Sequence, residues 1–155
     1  MVKPYTIPNN WIKFRACDYG YGSYSGVIWF AVSPSEQLVV YRELYVSKVL
    51  ATDLADMVLE LEAEDGNIKY GVLDSSLWHK RGDTGPSLAE QMIVRGCRWR
   101  PADRSKGSRV SGKNEIHRRL HCNYNILPVV QEKNSVIQKK ITLSHFHLLL
   151  LSASK

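Results

Sequence analysis

Long apolar runs are missing from this sequence. No stretch reaches the roughly eighteen consecutive apolar residues that a membrane-spanning helix needs. The N-terminal Met-Val-Lys-Pro-Tyr-Thr-Ile-Pro also lacks the apolar core of a secretory signal. Both absences point to a cytoplasmic protein with no membrane partner. Cysteine is scarce: Cys17, Cys97 and Cys122 are three in number and widely spaced. An odd, dispersed set fits neither a disulfide framework nor a CxxC-type metal site, so they read as reduced thiols. No internal repeat is visible. What is present is 155 residues, 44% of them hydrophobic, enough to close one core.

Basic residues gather in one segment. Between Arg95 and Arg119 stand Arg95, Arg98, Arg100, Arg104, Lys106, Arg109, Lys113, Arg118 and Arg119 against Asp103 and Glu115. That segment holds the whole basic excess of a chain whose net charge is +6. A phosphate backbone is a natural partner, because each neutralised phosphate releases condensed counterions. A solvated loop would show the same charge.

Hydrophobic periodicity divides the chain. Trp11 to Asp18 alternates apolar and polar residues, as a strand buried on one face does, and stops at Tyr-Gly-Tyr-Gly-Ser. Gly26 to Ser33 and Gln37 to Val46 are β-rich runs separated by a Pro34-Ser35 turn. The three runs predict an antiparallel meander. The period then becomes helical: Leu50, Leu54, Met57, Val58 and Leu61 share a face, Asp53, Asp56, Glu60, Glu62 and Glu64 lie elsewhere, and Asp65-Gly66-Asn67 is the stop. Ile68 to Leu73 reads as a strand returning to the sheet and ending at Asp74. Ser87 to Arg95 predicts a short helix, with Ser87 and Glu90 as a capping box. Cys97 to Arg100 predicts a further strand and Val110 to Leu120 a further helix. From His121 onward no helical face is apparent, and the closing Phe146-His147-Leu148-Leu149-Leu150-Leu151 is a short apolar run.

The sharpest chemical feature is a pair of aspartates, Asp18 and Asp74, each closing a β-run. If the two strands are neighbours, the carboxylates converge. Hard oxygen ligands there suit Mg²⁺ or Mn²⁺, and two such ions can activate water and stabilise a leaving oxygen in phosphodiester cleavage. Aspartate also favours turns, which is the plain reading of either residue. Other motifs fail on their own terms. Gly107 to Asn114 nearly matches a phosphate-binding P-loop, but Asn114 stands where a hydroxyl must reach Mg²⁺. Gly20 to Gly26 misses the dinucleotide fingerprint and leads into a strand, so it reads as a hairpin turn. His145 and His147 have no carboxylate or cysteine nearby, and His79 and His117 read as surface residues.

Several segments together resemble the C-terminal nuclease domain of large terminases from tailed phages. They are Trp11-x-x-x-Arg15-x-x-Asp18-x-Gly20, Tyr41-Arg42-Glu43-Leu44-Tyr45, Leu73-Asp74-x-Ser76-x-Trp78, Gly85-Pro86-Ser87-x-Ala89-Glu90, Trp99-x-Pro101-Ala102-Asp103-Arg104 and Gly112-Lys113-Asn114-Glu115-Ile116-His117-Arg118. The resemblance runs from about Pro4 to Leu120. It implies an α/β, RNase H-like mixed sheet, an antiparallel meander plus parallel strands, flanked by helices. It also implies cleavage of concatemeric viral double-stranded DNA by two divalent ions, Mg²⁺ or Mn²⁺. The implied partners are the ATPase motor, expected to be absent from this chain, the terminase small subunit and the portal.

Carried over by position, Asp18 and Asp74 match acids that ligate metal. Glu43 matches a recurrent acidic position on the third strand, which a cross-strand partner for a basic neighbour would explain equally well. Ser75, Ser76, Trp78 and His79 would lie near the site, and Arg100, Arg104, Lys106, Arg109, Lys113 and Arg118 would form the DNA track. The family supplies a third acid late in the chain, in a segment resembling Asp-His-x-x-Asp-x-x-Arg-Tyr. Here no aspartate follows Asp103, and Glu115 and Glu132 are the remaining acids. Residues 1–120 are therefore expected to be the nuclease domain and 121–155 an atypical tail, as a shifted reading frame after about Leu120 would produce. Two readings follow: a metal-dependent endonuclease weakened by the missing acid, or a catalytically silent DNA-binding remnant of a prophage terminase. A purely structural α/β module is a third.

Overall fold

The computed structural model describes residues 7–80, 82, 85–108, 110–112 and 114. Expectations for Arg109, Lys113, Glu115, His117, Arg118, Cys122, Glu132, His145, His147 and the tail 121–155 lie outside the described residues. Element order is β1 (Ile12–Asp18), β2 (Tyr24–Val32), β3 (Leu38–Ser47), α1 (Ala51–Glu62), β4 (Ile68–Leu73), a 3₁₀ turn (Ser75–Trp78), α2 (Leu88–Val94) and β5 (Arg100–Pro101). The five strands form one sheet in the order β3-β2-β1-β4-β5. β1, β2 and β3 pair antiparallel as the expected meander, whereas β4 pairs parallel to β1 and β5 parallel to β4. Among the described residues no helix is long and apolar enough to cross a membrane.

The helices α1 and α2 pack on the sheet face formed by Cys17, Val27, Trp29, Ala31, Val39, Tyr41 and Leu73. The opposite face carries a second cluster of Phe14, Ala16, Ile28, Phe30, Leu38, Val40 and Val72. Both faces of the central strands are therefore buried. This corrects the one-faced reading of β1, because Lys13 and Arg15 are 3% and 2% exposed. A cation so placed needs partners, and each has them. Lys13 donates from Nζ to the Asp65 carbonyl at 2.6 Å. Arg15 grips both Glu62 carboxylate oxygens at 2.6 and 2.7 Å, donates to the Arg98 carbonyl at 2.9 Å, and stacks over the Trp99 ring at 4.3 Å. The Trp29 indole also donates to Glu62 at 2.6 Å, while Tyr41 and Arg42 hold Asp65. The C-terminal end of α1 and its stop are thus tied to the sheet by buried charge. Glu62 and Asp65 belong to this seam and not to a solvated helix face.

Two boundaries also move. Leu50 is 56% exposed, and the buried face of α1 is Ala51, Leu54, Ala55 and Val58. Leu50 is the residue before the first helical turn, with extended backbone, which turns its side chain away from that stripe. The fifth strand is Arg100–Pro101 rather than Cys97 to Arg100, because Val72 and Leu73 offer ladder partners only to those two residues. Cys97 and Trp99 still enter the core. The capping box forms as expected: Glu90 N donates to Ser87 Oγ at 3.2 Å and Ser87 N to Glu90 Oε2 at 2.6 Å. Of the helix expected over 110–120, residues 110–112 and 114 are helical and the rest lies outside the described residues.

Candidate metal and nucleic-acid site

Asp18 is the last residue of β1 and Asp74 directly follows β4. The parallel ladder pairs Cys17 with Leu73, so the two aspartates leave neighbouring strands side by side, about 4.8 Å apart at the backbone. Both are partly buried. Because side chains alternate along a strand, Asp18 continues the Phe14–Ala16 face, opposite α1.

Asp74 is held in a defined pose. Its Oδ1 accepts from the Ser76 amide at 2.7 Å, capping the 3₁₀ turn, and from Arg104 at 3.2 Å. Partial burial pushes its carboxyl upward, but the Ser76 hydrogen bonds and the Arg104 charge outweigh burial and hold it below the ordinary carboxylate range. Asp74 is therefore an anion at neutral pH. Beside it, the buried Ser75 Oγ and Trp78 Nε1 have no hydrogen-bond partner among the described residues. His79 is exposed just after the turn. Behind the pair, burial first and then the Asp18 charge push the Cys17 thiol far up, and burial pushes Cys97 up to about 11. Both are inert neutral thiols, not ligands.

The other site candidates distribute unevenly. Glu43 pairs in register with Ile28 on β2, which pairs with Ala16 on β1. Glu43 therefore shares Asp18's sheet face but sits two strands away and exposed. Among the described residues no group of three or more His, Cys, Asp or Glu is close enough to hold a metal ion. Two carboxylates with hard oxygens fit one divalent cation, and a second ion would need a further ligand. Of the basic candidates, Arg104 reaches Asp74, Lys106 is exposed, and Arg100 lies on β5 with its guanidinium 3.7 Å from the Tyr70 ring centroid. Arg95 pairs with Asp56 at 3.1 Å, away from the pair. The ion pair between Arg104 and Asp74 was not foreseen. No local pattern signals it, because Asp74 and Arg104 meet only through the pairing of β4 with β5.

No protein-family model matches the sequence, and no curated protein matches it. Solved structures do. The nuclease domain of the P22 large terminase superposes with a TM-score of 0.63 at 16% identity, covering 83% of this chain and 66% of that one. The large terminase nuclease of thermophilic phage G20c, solved with bound zinc, gives 0.59 at 17% identity, covering 96% and 83%. The large terminase of the HK97 bacteriophage gives 0.60 at 6% identity. That match takes in 78% of this chain but only 30% of the HK97 protein, so the chain spans less than a third of that terminase. The mixed five-stranded sheet flanked by helices matches theirs, and the chain has the RNase H-like fold of phage large-terminase nuclease domains.

Proposed function

We propose that this chain is a divalent-metal-dependent DNA endonuclease domain of the large-terminase type, with Asp18 and Asp74 as ligands of Mg²⁺ or Mn²⁺. The observation that carries this reading is the side-by-side exit of the two aspartates from parallel central strands of an RNase H-like sheet. In a DNA-packaging setting the substrate is concatemeric phage DNA, and the partners are an ATPase motor, a small subunit and a portal.

Each residue then has a task. Asp18 and Asp74 present hard anionic oxygens on one side of the sheet edge, and Asp74 needs to lose no proton to do so. The Ser76 amide fixes the Asp74 carboxylate through Oδ1. Arg104, with a side chain 57% exposed, releases Oδ1 and turns its guanidinium to a phosphate oxygen, where planar bidentate pairing favours arginine. Lys106, and by position Arg109, Lys113 and Arg118, extend the basic track along the backbone. A divalent ion at the pair, when bound, polarises the phosphoryl oxygen and lowers the pKa of an attacking water.

A second reading, a DNA-binding protein without cleavage, draws on the same site. Among the described residues no third carboxylate joins the pair, and Arg104 already neutralises Asp74. Nicking of supercoiled plasmid by the full chain in Mn²⁺, Mg²⁺ and EDTA, beside Asp18→Asn and Asp74→Asn, separates them. Metal-dependent nicking lost in both variants is the expected result. Salt-dependent DNA binding by a folded protein that nicks under no condition would establish the silent reading instead.

A further inference from the structure

The sheet carries an aromatic surface beside the acidic pair that phosphate chemistry leaves unused. Asp18 registers with Gly26, and Gly26 with Tyr45, so the three form one row across β1, β2 and β3. Gly26 brings no side chain to this row. A Cβ there would meet the Tyr45 ring at 3.7 Å, so the ring lies over the glycine, in the gap between β3 and Asp18. Tyr24 stacks on Tyr45 with centroids 4.6 Å apart and planes 6° from parallel. Tyr24 remains 42% exposed, and Tyr21, in the hairpin after Asp18, 55% exposed. Exposed tyrosines clustered next to an anionic site suit a partner with both an aromatic face and an adjacent phosphate.

We propose that Tyr45 and Tyr24 form a stacking subsite for an unpaired base of a DNA strand whose neighbouring phosphate lies at Asp18 and Asp74. This rests on the nuclease reading of the acidic pair. Two strand spacings separate Tyr45 from Asp18, about 10 Å at the backbone, within reach of a nucleotide next to the held phosphate. Across the sheet edge the order is the aromatic shelf on β3 and β2, the acids at the ends of β1 and β4, then Arg104 and exposed Lys106 beyond β5. One strand laid along that edge meets stacking, metal ligands and cations in turn. A base inside a duplex is already covered on both faces, so the shelf selects a strand end, a frayed pair or a single strand. Stacking on tyrosine tolerates any base, so the subsite confers a structural preference without sequence specificity.

The test is fluorescence anisotropy of a labelled short single-stranded deoxyoligonucleotide with the full chain in EDTA, beside the same oligonucleotide made abasic and a blunt duplex. Wild type is expected to bind the single strand about ten-fold more tightly than the abasic strand, in line with base–aromatic stacking. Tyr45→Phe should keep that difference, and Tyr45→Leu should abolish it. Tyr24→Leu, at an exposed position, gives the same readout should the Tyr45→Leu chain fail to fold. Equal affinity for normal and abasic strands, unchanged discrimination in the leucine variants, no single-strand binding, or preference for a ribo-oligonucleotide would each overturn the proposal. Plasmid nicking reports separately on the acidic pair. Base-dependent binding without nicking keeps the shelf and removes the nuclease reading, and nicking with base-indifferent binding does the reverse.

Discussion

Replacing Glu62 by alanine tests a buried electrostatic commitment of the fold. The Arg15 and Glu62 side chains are 3% and 10% exposed, and Glu62 also accepts from the Trp29 indole. Removing the carboxylate leaves Arg15 inside the sheet with two fewer strong hydrogen bonds, in addition to its already unpartnered Nε. Breaking one side of such a buried pair costs about 3–5 kcal/mol, because the surviving charge stays desolvated and uncompensated. A domain of this size has about 5–15 kcal/mol of stability in total. The loss is therefore a large part of the whole, and at about 2–4 °C per kcal/mol the melting temperature should fall by roughly 6–20 °C. Urea unfolding followed by tryptophan fluorescence measures it directly, since Trp29 and Trp99 flank the pair. The double variant Arg15→Met with Glu62→Met should regain most of the loss, because apolar side chains of similar volume need no partner there. A Glu62→Ala chain within about 1 kcal/mol of wild type would refute the assignment of a desolvated pair.

Four further outcomes are expected. Gly71→Ala should destabilise by about 1–3 kcal/mol in thermal melts, since a Cβ would lie 2.6 Å from the buried Trp99 ring and 2.9 Å from Arg15 Nε. An unchanged melting temperature would show that the Trp99 ring has room to move. Cys17 and Cys97 should resist alkylation in the native state at pH 8 and react once unfolded, as mass spectrometry would show. Burial raises the Cys97 thiol from an ordinary 9.0 to about 11 in the fold, so its contribution to stability is intact below pH 9 and is lost as pH rises toward 11. Denaturant midpoints between pH 8 and 11 check that sign, and a midpoint that climbs over this range would contradict it. Calorimetric titration with Mn²⁺ should show binding weakened at least ten-fold in both Asp18→Asn and Asp74→Asn, while Arg104→Ala binds as well as wild type or better because Asp74 Oδ1 loses a competing cation. Tighter binding by either asparagine variant would place the ion elsewhere.

Much of this protein follows from local pattern. The meander, the amphipathic helix, the Ser87–Glu90 capping box and an aspartate at the end of each of two strands are short-range features. Period, turn residues and capping geometry act over a few residues and are written in the order of the chain. Even the basic segment shows in composition. What local pattern could not supply was which strands would be neighbours, because pairing between residues some fifty positions apart is decided by the packing of the whole sheet. That pairing brings Asp18 and Asp74 side by side, leaves Glu43 two strands away, and sets the Tyr45 ring over Gly26. It also makes β1 a central strand covered on both faces, so that Lys13 and Arg15, polar by alternation, became buried cations. Glu62 turns inward to meet Arg15 and the Asp65 carbonyl meets Lys13, since a charge taken out of water requires a partner at hydrogen-bonding distance.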